Sequence, residues 1–309
     1  MASPPIRTLL RFRVLALLGA LAIASTACGS DSGSGMSALS GIATTTTASA
    51  TTVAPDGPAA IISLSPTATE ILFAIGAGDQ VVAVDNMSNY PADAPVSDLS
   101  GFTPNVEAIA GYGPDLVVIS YDPGDLVEGL KALEIPTVMQ WAANSIDDTY
   151  SQITELGDLT GHAAEAEAVS ASIREGLAAL AGDPVGTGMT YFHEIDNTLY
   201  SATSTTFVGQ LYALLGLENI ADPADEAGFG WPQLSAEFIL EADPDIIFLT
   251  DAAWGESAET VAARPGWDVL TAVVGGHVVP IDQDTSGRWG PRVVDFIESV
   301  KAAIEGFEG

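Results

Sequence analysis

The sequence predicts an α/β protein: two Rossmann-like lobes with parallel sheets, joined by one long spine helix. Three observations carry this expectation. Short aliphatic runs of strand length alternate with helix-period segments from about residue 58 onward, the order that gives a parallel, doubly wound sheet. One helix–turn–strand unit occurs twice, as GFTPNVEAIAGYGPDLVVIS (Gly101 to Ser120) and as GFGWPQLSAEFILEADPDIIFLT (Gly228 to Thr250). Between the copies, Ile146 to Leu180 repeats apolar or small residues at three-and-four spacing, among them Ile153, Leu156, Ala163, Ala166, Ile173 and Leu177.

The two copies keep several features in register. Glu107 and Glu237 each stand seven residues before a Pro-Asp pair, Pro114-Asp115 and Pro244-Asp245. An aliphatic run follows each pair, and Phe102 and Trp231 lie a few positions upstream of the glutamates. In the spine, Asp147 or Asp148 can cap the first turn, and Gly182 with Pro184 ends the helix. Gly157 and Gly161 weaken it, so a bend is allowed there.

Along the chain, residues 1–27 read as an export signal. Arg7, Arg11 and Arg13 precede the apolar run Val14 to Ala24, which is too short to span a bilayer. Cys28, the only cysteine of the chain, rules out an internal disulfide framework. Its place after Ser25-Thr26-Ala27 resembles a bacterial lipobox and marks Cys28 as a lipidation site, although Ser25 stands where that pattern usually carries leucine. Residues 28–57 form a tether rich in Gly, Ser, Thr and Ala, with little to bury and hence disordered. The lobes are then expected at 58–145 and 183–309, flanking the spine at 146–182.

In the first lobe, strands are expected at Ala59 to Leu64, Val81 to Val84, Leu116 to Ser120 and Thr137 to Gln140. Helices are expected at Ala68 to Ile75, opened by a Thr67–Glu70 capping box, at Asn105 to Ala110 and at Leu126 to Leu133. The second lobe offers strands at Met189 to Ile195, Leu199 to Ser201, Ile246 to Leu249 and Val278 to Ile281. Its helices are Phe207 to Leu215, Ala236 to Glu241 and Pro291 to Ile304.

Charge narrows the function classes. The formal net charge is −32, and loss of the three signal arginines leaves six basic residues against 41 acidic ones, or −35. No basic footprint for nucleic acid exists. GxSxG, P-loop, HExxH and dinucleotide glycine motifs are all missing, which argues against the corresponding enzymes. His162, His193 and His277 lack metal-ligand spacing, so no metal site is expected and His193 reads as a structural histidine, with an axial ligand to haem iron as an outside reading shared with Met87 and Tyr121.

The ordered set SLSPTATEILFAIGAGDQVVAV, SNYP, NVEAIAGYGPDLVVIS, LYSATSTTFVGQLYALLGLENIA, GWPQLSAEFILEADPDIIFLT and RWGPR resembles the iron-siderophore and cobalamin binding proteins of ABC importers over about residues 58–305. The resemblance implies a helical-backbone receptor with a ligand cleft between two lobes and little hinge motion. It implies a metal-chelate ligand (ferric siderophore, cobalamin or haem), no resident cofactor, and a partner consisting of a permease dimer with its ATPase. A lipid-anchored monomer on the outer face of the cytoplasmic membrane, or in a periplasm, is expected. An envelope enzyme and an adhesive or structural domain on the same lobes are the alternatives.

Ligands of open α/β sheets bind beyond the carboxyl ends of the strands. Met87, Phe102, Tyr121, His193, Tyr200, Trp231, Arg288 and Trp289 are candidates there. Trp231 leads, because its Trp-Pro-Gln-Leu-Ser-Ala-Glu segment resembles the stretch whose tryptophan faces the ligand in the family. Tyr200 matches an aromatic contact position, and Met87 stands where a cobalamin binder carries an aromatic. Arg288 is either a salt-bridge partner or an anion contact. Glu107 and Glu237 match the family glutamates that dock on the permease.

Overall fold

In the computed structural model, the described residues are 57–308. The export segment, Cys28 and all of the tether before Gly57 lie outside them. The N-terminal sheet comprises β1 (Ile61–Leu64), β2 (Val81–Val84), β3 (Leu116–Ile119) and β4 (Thr137–Met139), all parallel, in the order β2-β1-β3-β4. Helices α1 (Pro66–Ala74), α2 (Val106–Ala110) and α3 (Leu126–Ala132) connect them. Every residue of β1 and β3 is buried, as a strand covered on both faces requires.

Then come α4 (Ile146–Thr160) and α5 (Ala163–Ala181). The second sheet comprises β5 (Thr190–Glu194), β6 (Glu218–Asn219), β7 (Ile246–Leu249) and β8 (Val278–Pro280), in the order β6-β5-β7-β8. Its helices are α6 (Phe207–Leu214), α7 (Ala236–Ala242) and the short α8 (Ala258–Ala262) and α9 (Thr271–Gly275). Helices α10 (Gln283–Gly287) and α11 (Val293–Glu305) close the chain. The two sheets have the same order and sense, so the lobes are two copies of one topology.

The spine departs from the single helix expected. It breaks at Gly161, whose φ of +82° is open to glycine at no steric cost. A Cβ placed on Gly157 would sit 2.4 Å from the Ala166 Cβ, whereas a continuous helix would set these residues roughly 13 Å apart along its axis. The spine is therefore a sharply bent helix pair, and Gly157 is the small residue that lets its halves touch. Its first turn is capped by Ser145, not by an aspartate: Ser145 accepts from the Asp148 N–H and the Asp148 carboxylate accepts from the Ser145 N–H, a reciprocal capping box.

The cap of α1 also moves. Pro66 occupies the first helical position, where a missing N–H costs nothing, so Ser65 is the cap and accepts from the Ala68 N–H. Glu70 is thereby free for another task. Leu199 to Ser201 is not a sheet strand; it forms an isolated antiparallel bridge, Tyr200 to Gln233. The two-residue β6 and helices α8, α9 and α10 were not expected, being too short to show a period.

The repeated unit explains its Pro-Asp pairs. Asp115 Oδ2 accepts from the Ala59 and Ala60 N–H groups at the start of β1. Asp245 Oδ2 accepts from the Thr190 N–H and hydroxyl at the start of β5. Each aspartate thus ties its own strand to the neighbouring central strand, at the same place in each sheet. One apolar core runs across both sheets and the helices between them, from Ile61 and Ile71 through Ile153 and Ile173 to Tyr191, Phe248 and Phe296.

Candidate functional site

Residues beyond the carboxyl end of β4 in the first sheet and at or beyond those of β5, β7 and β8 in the second line a cavity of about 210 Å³. Ala142 and Ala143 reach it from beyond β4, His193 and Ile195 from the end of β5, and Thr250 from the end of β7. Phe207, Trp231 and Trp289 supply aromatic wall, and Gln283 with Ser286 supplies polar edge. Large aromatic faces with few polar groups suit a flat, weakly polar molecule, since stacking removes apolar area from water without matched hydrogen bonds.

Trp231 is 52% exposed, so it is loop wall and not core. Its segment is zipped to residues 199–203. The Ser201 N–H donates to the Pro232 carbonyl, the Thr203 N–H to Gly230 and the Leu234 N–H to Leu199. Asp225 accepts from the Phe229 and Gly230 N–H groups and tightens the turn ahead of it. Tyr200 lies in the segment bridged to this loop, is exposed and does not line the cavity.

Met87, Phe102 and Tyr121 are exposed beyond the strands of the N-terminal sheet but do not line the cavity. Exposed Trp141 follows β4, and Trp254, 80% exposed, follows β7. The Trp254 indole N–H donates to the Gln283 side chain, which lines the cavity. Sequence reasoning passed over Trp141 and Trp254; an aromatic within a few residues of a strand's carboxyl end was the signal.

The structure places Arg288 in ion pairs, the first of the two readings. It is buried, donating to Glu70 at 2.8 Å, to the Asn89 side chain at 2.9 Å and to the Met87 carbonyl at 3.1 Å, with Asp284 at 2.8 Å. Arg292 binds the same Glu70 through two nitrogens and covers the Tyr90 ring. Glu70 on α1 is thus held by two arginines from the C-terminal segment, a clasp between the lobes. The Glu70 bonds raise the Arg292 pKa against the opposing effect of burial. The Thr149 hydroxyl donates to the Trp289 carbonyl and the Trp289 indole to Gln152, which ties the cavity wall to α4.

On β5, Glu194 points away from the cavity and takes two bonds from Arg264, which also binds Glu256. Burial pushes the Glu194 carboxyl up despite this partner. Every lysine and arginine among the described residues is ion-paired: Lys131, Arg174, Arg264, Arg288, Arg292 and Lys301. Among those residues, no group of three or more His, Cys, Asp or Glu is placed to hold a metal ion. A larger, polar depression of about 950 Å³ runs along α4 past Asp147, Tyr150, Asp158 and Arg174. It is open to solvent and no residue from a strand end lines it, so the smaller cavity is the better site.

Glu107 and Glu237 are exposed and equivalent, each at the second position of its helix. Asn105 and Ser235 cap those helices, accepting from the Ala108 and Phe238 N–H groups. The family described as periplasmic binding protein matches residues 61–285. A Bacillus subtilis protein described as an uncharacterized ABC transporter substrate-binding lipoprotein is 29% identical over 258 residues, 80% of either chain. A cobalamin-binding protein of Halobacterium salinarum is 30% identical, over 77% of this chain and 67% of that one. The crystal structure of a possible iron-binding protein from Staphylococcus epidermidis superposes with a TM-score of 0.69 at 26% identity, covering 80% of this chain and 99% of that one. The periplasmic vitamin B12 binding protein of Vibrio cholerae gives 0.68 at 24% identity, covering 82% and 98%.

Proposed function

This chain belongs to the periplasmic binding protein family, a family of binding proteins and not of enzymes, and we propose from that premise that it captures a metal chelate for an ABC importer. The observation that carries the reading is the aromatic cavity at the carboxyl ends of β5 and β7, closed from the first lobe by the segment beyond β4, with Trp231 and Trp289 in its wall. The chelate class is a ferric siderophore, a cobalamin or haem. The Halobacterium and Vibrio relatives, named for cobalamin and vitamin B12, support that class. No resident cofactor is required.

Delivery needs a second surface. Glu107 and Glu237 offer equivalent charges, one per lobe, to a partner of near two-fold symmetry such as a permease dimer. Cys28 supplies a lipid anchor in this reading, supported by the lipoprotein description of the Bacillus relative. Equilibrium dialysis of the purified protein with cyanocobalamin, haem and a ferric trihydroxamate tests the capture. One-to-one, saturable retention of a chemically unchanged compound is expected. Turnover of the compound, or retention of none of them, would overturn the proposal.

A further inference from the structure

His193 enters the cavity from the end of β5, and its ring leaves little freedom. The residue is 4% exposed. Nδ1 lies 3.0 Å from the Tyr212 hydroxyl, and Tyr212 is wholly buried between His193, Tyr191, Phe248 and Phe296. Nε2 makes no hydrogen bond among the described residues. His193 lines the cavity, and with Nδ1 taken by Tyr212 the ring nitrogen left for a bound molecule is Nε2.

The proton count follows from the tyrosine. A buried hydroxyl must donate its hydrogen, because an unmade buried bond costs the full desolvation of the group. Among the described residues, the only acceptor bonded to the Tyr212 hydroxyl is Nδ1 of His193. Burial pushes the Tyr212 phenol well above its usual range, so it keeps that hydrogen. Tyr212 then donates to an unprotonated Nδ1, and the ring's own proton sits on Nε2. A second ring proton would face the Tyr212 hydrogen head on.

We infer that His193 serves the cleft as a fixed, uncharged Nε2–H donor for an oxygen acceptor of the bound molecule, and that it does not coordinate a metal. The inference deepens the proposed capture function and rests on the cavity being the binding site. A metal ligand needs a free lone pair on Nε2, which this tautomer lacks. With every lysine and arginine among the described residues already paired, the acceptor that fits is uncharged, an amide carbonyl. Burial holds the His193 pKa down to about 4, which keeps the ring neutral over the same range.

Long-range proton–nitrogen correlation NMR on the ligand-free protein reads the tautomer directly. The Nε2–H form is expected from pH 6 to 8; a Nδ1–H form, or a charged ring at pH 6, would overturn the inference. Aquacobalamin provides a second readout, since imidazole coordination displaces its water and shifts its visible bands. No shift that depends on His193 is expected; one lost in His193→Leu would overturn the inference. Failure of every chelate to bind would instead count against the capture function, while the tautomer measurement would still decide the state of His193.

Discussion

Trp231 stands half exposed in the cavity wall, held by backbone pairing to residues 199–203, so its ring is presented before anything binds. Preorganised aromatic anchors carry a large share of binding energy. Trp231→Ala is expected to weaken chelate binding by about 2 kcal/mol or more, measured as a change in Kd by titration calorimetry; an unchanged Kd in a folded variant would remove Trp231 from the site. His193 makes a stability claim as well. Its folded pKa of about 4 lies below the unfolded value of about 6.5. The unfolded chain therefore binds a proton first as pH falls, and His193's contribution is complete above pH ~6.5 and lost between there and pH ~4. Urea denaturation at pH 7 and pH 5 should show this loss, and His193→Gln should flatten that part of the profile. Of these residues, the sequence motif singled out Trp231, but nothing in sequence pairs Tyr212 with His193, because that contact joins a strand to a helix 19 positions away.

At the scale of elements, the repeated unit was legible because both copies keep their glutamate, their Pro-Asp pair and their buried strand in register. The work of Asp115 and Asp245 was not, since each reaches a strand 55 or 56 residues earlier. The bend of the spine was readable only as an allowance at Gly157 and Gly161, because apolar periodicity continues through it; tertiary packing of Ala166 on Gly157 decides the break. Glu107 and Glu237 sit at equivalent, exposed helix starts, where a carboxylate gains a few tenths to about 1 kcal/mol from the helix dipole. That local gain explains each acid but not its repetition on both lobes. Glu107→Ala with Glu237→Ala is therefore expected to leave Kd for the chelate unchanged while abolishing uptake and stimulation of the transporter ATPase. Normal uptake by the double variant would exclude docking, and a matching loss of Kd would move both residues into the cleft.

Across the whole molecule, two lobes of one topology share a continuous core and a buried clasp of Glu70 with Arg288 and Arg292. Arg288 was readable as either an ion pair or a ligand contact; its partner is 218 residues away in sequence, and only the fold chooses. Removing Glu70 would take the carboxylate from Arg292 and leave the buried Arg288 with Asp284 as its one acid partner, so Glu70→Ala should cost about 3 kcal/mol of unfolding free energy in urea. A loss below about 1 kcal/mol would show that the clasp contributes no more to stability than a surface pair does. Cys28→Ser should move the protein from the membrane fraction to the soluble one; identical fractionation would refute the anchor. The central claim is that the cavity between the lobes is the capture site, and quenching of tryptophan emission tests it most directly, because Trp231 and Trp289 stand in its wall. Titration with cyanocobalamin, haem and a ferric trihydroxamate should give saturable quenching at one equivalent with at least one of them, reduced in Trp231→Phe and Trp289→Phe. Saturable binding that leaves the emission of both tryptophans unchanged would place the ligand elsewhere and contradict the account.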